Sequence, residues 1–88
     1  ADDWGMIWEA VPDEAFEKTW RKRAAFLANG PTGAFAGVKQ AIRASFETGL
    51  SEQLATEAHL QGQCGKSRDF QEGVVAFMEK RPPVFEGR

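Results

Sequence analysis

The sequence predicts a mainly α fold, a short N-terminal extended segment followed by about four short helices. Three observations predict it. Apolar residues recur at spacings of three and four in four separate stretches, each stretch closes on Gly or Pro, and only residues 4–11 read as extended. No internal repeat and no low-complexity segment interrupts this order. At 88 residues the chain is one domain at most, with a small core. Ordering entropy of about 1.5 kcal/mol per residue offsets most of what burial at about 25 cal/mol per Å² supplies to so short a chain, so stability from a partner is expected.

Trp4-Gly5-Met6-Ile7-Trp8-Glu9-Ala10-Val11 is an apolar run closed by Pro12, which bars the preceding residue from helix and predicts an extended segment. A lone strand leaves its backbone groups unsatisfied, and two Trp are a large apolar area to leave in water. Something outside the segment is expected to complete it.

Asp13 is a natural N-cap, and Phe16, Trp20, Ala24 and Leu27 follow at helical spacing up to the Asn29-Gly30-Pro31 stop. Glu14 with Lys18, and Glu17 with Arg21, stand at i,i+4 in the favourable order and mark the solvated face. Pro31 suits the first turn of a second helix, whose Phe35, Val38, Ile42 and Ser45/Phe46 stripe ends near Gly49. A third helix is expected from about Ser51, with Leu50, Leu54, Ala58 and Gln61 in line, running out over Gly62 to Gly65. Its face is weakly apolar; a stripe ending in Gln61 suits either a wet, ligand-bearing cleft or plain solvent, and composition favours solvent. Ser67 caps a fourth helix, with Asp69 and Glu72 where the dipole favours anions, Phe70, Val74, Phe77 and Met78 along one side, and Pro82-Pro83 as the stop.

The formal charge of −2 and a pI near 5.4 give no field that draws nucleic acid or an anionic membrane. The single Cys64 forms no internal disulfide, and no apolar run approaches the roughly 20 residues of a membrane span. A reducing, cytoplasmic setting is expected. The chain opens Ala1-Asp2-Asp3-Trp4 without Met, which suits a processed product or a fragment.

Gly65-Lys66-Ser67 matches only the end of a phosphate loop, whose first glycine falls on Leu60 here, and a helix rather than a strand precedes it. His59 has no second His or spaced Cys with which to hold a metal. Cys64 lies near glycines in an expected turn but has no base assigned to it, which leaves it a neutral bystander. Arg21-Lys22-Arg23 reads as a solvated face, for want of a basic recognition helix. Lys80-Arg81 is different. Beside Phe77 and Phe85 the two cations have the chemistry to hold a phosphate and stack on a base, although residue physics alone makes them a positive helix end opposing the dipole.

Taken in order, these segments resemble the end of the enoyl-CoA hydratase/isomerase (crotonase) family. The Trp4-to-Asp13 run is similar to the strand that closes the family core, Asn29-Gly30-Pro31-Thr32 with Lys39 to a following helix, and Leu54 with Glu57 precedes the tail. In the tail, Asp69-Phe70-Gln71-Glu72-Gly73, Ala76-Phe77-Met78-Glu79-Lys80-Arg81 and Pro82-Pro83-Val84-Phe85-Glu86-Gly87 resemble the family carboxyl terminus. The Arg68-Asp69-Phe70 and Lys80-Arg81-Pro82 details are most similar to the branch of 2-(1,2-epoxy-1,2-dihydrophenyl)acetyl-CoA isomerases of phenylacetate breakdown.

The resemblance implies a spiral ββα core that binds an acyl-CoA thioester, with two backbone N–H groups as its oxyanion hole and carboxylates that move protons. It places that core before Ala1, and this chain as the C-terminal helical part of the fold without its spiral core. Residues 1–12 would end the core domain, and 13–88 would form a helical oligomerisation and lid domain. The chain would contribute trimer interface and part of the CoA cleft, with no catalytic residue and no activity alone. Its partners would be its own core, neighbouring subunits of a homo-oligomer and acyl-CoA as substrate, with no resident cofactor or metal, no nucleic acid and no membrane. By resemblance Lys80 contacts the nucleotide end of CoA, Phe77 is the aromatic before it, and Gln61 stands where some hydratases carry an aromatic facing the acyl chain. A second reading stays open: a free-standing helical module that binds a protein through the Trp4/Trp8 segment and the Phe-rich faces.

Overall fold

The computed structural model describes residues 1–88, with the element order α1 (Asp13–Ala28), α2 (Thr32–Ser45), α3 (Leu50–Gly65) and α4 (Arg68–Glu79) and no strand. The four helices stand where the apolar periodicity puts them. The N-terminal run does not form a strand. Gly5, at φ +74°, donates its N–H to the Asp2 carbonyl at 2.9 Å, and Met6 donates to the Ala1 carbonyl at 3.0 Å. These are the paired 5→2 and 6→1 bonds of a glycine helix stop. An Asp2 carboxylate oxygen accepts from the Ala10 N–H at 3.1 Å, and only residues 9–12 run without a turn or bend. With no neighbouring strand to take its backbone groups, the segment bends back on itself.

Helix α1 begins at Asp13, with Pro12 in the cap position at ψ 150° and no side-chain cap. Asp13 is therefore the first helical residue rather than the cap, and with Glu14 it stabilises the positive end of the dipole. Of the two expected ion pairs, Glu17–Arg21 forms at 3.0 Å and Glu14 and Lys18 do not pair. Pro31 likewise caps α2 instead of opening it.

The helices pack on one another through small residues, and the apolar stripes are left open. On α2 the small residues Ala34, Gly37, Ala41 and Ala44 are partly buried on the α3 side and Phe35 is partly buried against Gly30, while Val38, Ile42 and Phe46 stay exposed. A Cβ at Gly37 would lie 3.9 Å from Cys64 Sγ, an ordinary van der Waals contact, so Gly37 faces Cys64 across the seam. The face that α3 offers is Gln53, Thr56, Leu60 and Cys64, whereas Leu50, Leu54, Ala58 and Gln61 are exposed. Gln53 clips the pair by donating from Nε2 to the Ala41 carbonyl at 3.0 Å and accepting from Thr48 Oγ1 at 2.8 Å.

Helix α4 packs on α3. Ser67 is its cap, with Oγ accepting from the Phe70 N–H at 3.0 Å and donating to the Cys64 carbonyl at 2.6 Å. The α4 residues that become buried are Asp69 and Ala76, and its large apolar residues Phe70, Val74, Phe77 and Met78 face outward. Only Leu60, Asp69 and Ala76 are buried in the whole chain. The radius of gyration is 16.4 Å, against about 12 Å for a compact chain of this length. With extents of 44 × 38 × 18 Å the molecule is a slab less than two helix diameters thick, and its apolar stripes lie open on its faces. No helix is long and apolar enough to cross a membrane.

Candidate functional site at the end of α4

Helix α4 stops at Glu79 because Lys80 turns left-handed, at φ 55° and ψ 41°. The expected stop at Pro82-Pro83 therefore comes two residues late. The Lys80 N–H donates to the Phe77 carbonyl at 3.2 Å and the Arg81 N–H to the Ala76 carbonyl at 3.0 Å, the same 5→2 and 6→1 pair seen at Gly5. At Gly5 the left-handed residue is glycine; at Lys80 it is the only non-glycine residue with positive φ. An L side chain in this region costs roughly 1–2 kcal/mol, so lysine here is unfavourable for folding. Its side chain is exposed and enters none of the five ion pairs.

The residue after it is fully engaged. Arg81 holds Glu72 in a fork, Nη1 to Oε1 at 2.6 Å and Nη2 to Oε2 at 3.2 Å, and its Nε donates to Glu79 Oε2 at 2.7 Å. Glu72 Oε1 also accepts the Val84 N–H at 3.0 Å. The Arg81 fork first, and then the Val84 N–H, hold the Glu72 carboxyl at about 2, down from 4.5. The bond to Glu72, and then that to Glu79, pushes Arg81 upward.

One turn earlier, Asp69 is 6% exposed and its two carboxylate oxygens accept the Glu86 N–H at 2.7 Å and the Gly87 N–H at 2.9 Å. Its own N–H donates to the Arg88 carbonyl at 2.8 Å. Asp69 and Glu72 thus do more than offset the helix dipole. They bind the residues after Pro82-Pro83 back along α4, with Phe85 lying over Gly73 and Gly87, at φ +81°, meeting Thr32 at the start of α2. Nothing local in the sequence signals these bonds, which join residues 9 to 19 apart.

Phe77 is 83% exposed and borders a groove of about 770 Å³ between α2, α3 and α4, walled also by Phe70, Val74, Met78 and Phe85. Gln61 is exposed and borders a second depression of about 510 Å³ between α2 and α3. The two share Ala34, Gly37, Leu60 and Cys64 as a common wall. Phe77 and Lys80 are thus joined at one helix end, and Gln61 lies on the far side of that wall.

The other sequence candidates are accounted for. Cys64 is a partly buried thiol against Gly37, and His59, five residues earlier on α3, is exposed and points about 140° away around the helix. Arg21 lies over the Trp20 ring at 4.7 Å, and Arg23 over Trp8 at 5.3 Å while it pairs with Glu9 at 3.1 Å. These two cations cover aromatic surface.

Comparison with known proteins bears on all of this chain. The family model for enoyl-CoA hydratase/isomerase matches residues 1–88. A probable enoyl-CoA hydratase of Rhodobacter capsulatus is 62% identical over 84 residues, covering 96% of this chain and 33% of that protein. The 1,2-epoxyphenylacetyl-CoA isomerase of Escherichia coli is 42% identical over 88 residues, covering 100% of this chain and 34% of that protein. Among solved structures, one from Mycobacterium abscessus described as an enoyl-CoA hydratase/isomerase superposes with a TM-score of 0.94 at 39% identity, over 100% of this chain and 34% of its own. An enoyl-CoA hydratase from Geobacillus kaustophilus gives 0.88 at 33% identity, over 100% and 33%. The chain spans about a third of the length of the relatives it matches.

Proposed function

The chain belongs to the enoyl-CoA hydratase/isomerase (crotonase) family, and from that premise we propose that it serves as the C-terminal helical part of a cytoplasmic acyl-CoA hydratase or isomerase. In this reading residues 1–12 end the core domain and 13–88 form a lid and oligomerisation domain. The apolar stripes left open on α1 to α4 cover the core and neighbouring subunits of a trimer. The domain supplies part of the CoA cleft, and the reaction itself is carried out by groups outside these residues.

The observation that carries the site is Lys80. A cation placed at some cost in a left-handed helix stop, where Gly5 shows that glycine serves the same turn, is poised for an anionic ligand. Phe77, whose carbonyl accepts the Lys80 N–H, offers an exposed ring beside it. A phosphate against the ammonium and a base against the ring suit the nucleotide end of CoA. Gln61, bordering the neighbouring depression, is the proposed acyl-side contact. The acyl group is proposed to be that of phenylacetate breakdown, supported by the 42% identity to an epoxyphenylacetyl-CoA isomerase along the entire chain. The 62% identity to a probable enoyl-CoA hydratase supports hydration of an enoyl-CoA as the alternative reaction.

The test is binding of coenzyme A to the full-length gene product. Lys80→Gln is expected to weaken CoA about tenfold, the value of one charge-assisted contact, and to leave pantetheine, which lacks the nucleotide, unaffected. An unchanged CoA affinity contradicts the reading.

A further inference from the structure

We infer that Glu72 is a positioning residue for Lys80, setting the affinity of that lysine for an anionic ligand without touching the ligand itself. The inference rests on the reading of Lys80 as the CoA contact. Lys80 has a conformation that its own backbone disfavours, so something must hold it there. Two backbone bonds close the turn, and the side-chain bonds that brace it converge on Glu72. Its carboxylate takes the Arg81 guanidinium in a fork on one side of the turn and the Val84 N–H further along the tail. Asp69 anchors the tail beyond, at Glu86 and Gly87, but bonds to nothing adjacent to Lys80.

The pairing has a second effect. Glu72 and Glu79 are the carboxylates that Arg81 binds at this helix end. A carboxylate paired to a guanidinium by a short, charge-assisted fork is not available to an adjacent ammonium. Arg81 therefore occupies the local anions, and the Lys80 charge is left for a ligand. Without Arg81, Glu72 and Glu79 both become competitors for Lys80; with Glu72 neutralised, Glu79 stays on Arg81 and the left-handed turn loses its brace.

The experiment measures CoA and pantetheine affinity of the full-length gene product by calorimetry in five proteins: unaltered, Glu72→Gln, Lys80→Gln, the double variant of these two and Arg81→Ala. Glu72→Gln is expected to weaken CoA about fivefold, the upper range for an exposed ion pair, with pantetheine unchanged. In the Lys80→Gln background the same change is expected to do nothing. Arg81→Ala removes the pair from its other side and is expected to repeat the result, so loss of folding in one variant does not remove the test. A Glu72→Gln effect of equal size with and without Lys80, or one that extends to pantetheine, overturns the positioning role. Lys80→Gln weakening CoA while Glu72→Gln and Arg81→Ala are silent overturns it alone. Lys80→Gln leaving CoA affinity unchanged overturns the underlying reading of Lys80 as well.

Discussion

Lys80 combines a conformation that favours glycine with a side chain that glycine lacks, and the conflict is measurable. Lys80→Gly is expected to stabilise the full-length gene product by up to about 1 kcal/mol in chemical denaturation, by relieving the left-handed strain, while weakening CoA. A loss of stability contradicts the strain. Glu72 makes a prediction with pH. Its carboxyl is at about 2 in the folded chain against an ordinary 4.5, so the contribution of the clasp is complete above 4.5 and is lost as pH falls toward 2. The Val84 N–H, which Glu72 accepts, should lose its protection from hydrogen exchange over that window, and Glu72→Gln should abolish this dependence. Protection that persists to pH 2 contradicts the assignment. The order of the tail motifs is what singles out Lys80 and Phe77 as candidates. It did not show the left-handed turn or the Glu72 fork, because both depend on the chain reversing after Arg81 and on partners that no local periodicity links.

At the scale of the helix, existence, approximate ends and the apolar stripe were legible, and the small-residue face between α2 and α3 was not. Ser67 was readable as a cap because a hydroxyl three residues before a free N–H is a local feature, and Ser67→Ala is expected to cost about 1 kcal/mol. Unchanged denaturation would mean the cap contributes nothing. Asp13 and Pro31 each shifted by one position, since a proline in extended or near-extended backbone can end the turn itself. The stripes mark a different face from the one the helices share. Apolar periodicity finds the face with the most apolar area, but α2 meets α3 on the side of the small residues Ala34, Gly37, Ala41 and Ala44. Ala41→Leu is accordingly expected to cost about 1–3 kcal/mol by overpacking that seam, although leucine is a good helix former. A neutral or stabilising result would place the seam elsewhere.

The molecule as a whole is a thin slab with an apolar residue exposed at nearly every stripe position: Phe16 and Trp20 on α1, Ile42 on α2, Leu54 on α3, Phe77 on α4. Surfaces of this extent mark interfaces. The 88-residue chain by itself is expected to self-associate, with a mean mass in analytical ultracentrifugation that rises with concentration; a monodisperse monomer at all concentrations contradicts the reading of these faces as covered ones. The proposed function joins this surface to the cleft: a helical lid that brings Lys80 to the nucleotide end of CoA. Its most direct test is a crystal structure of the full-length gene product with coenzyme A bound. The prediction is a Lys80 ammonium within about 4 Å of a CoA phosphate oxygen, the reach of an ion pair, with the Phe77 ring against the base. CoA bound with its phosphates on other residues, and Lys80 pointing into solvent, would contradict it.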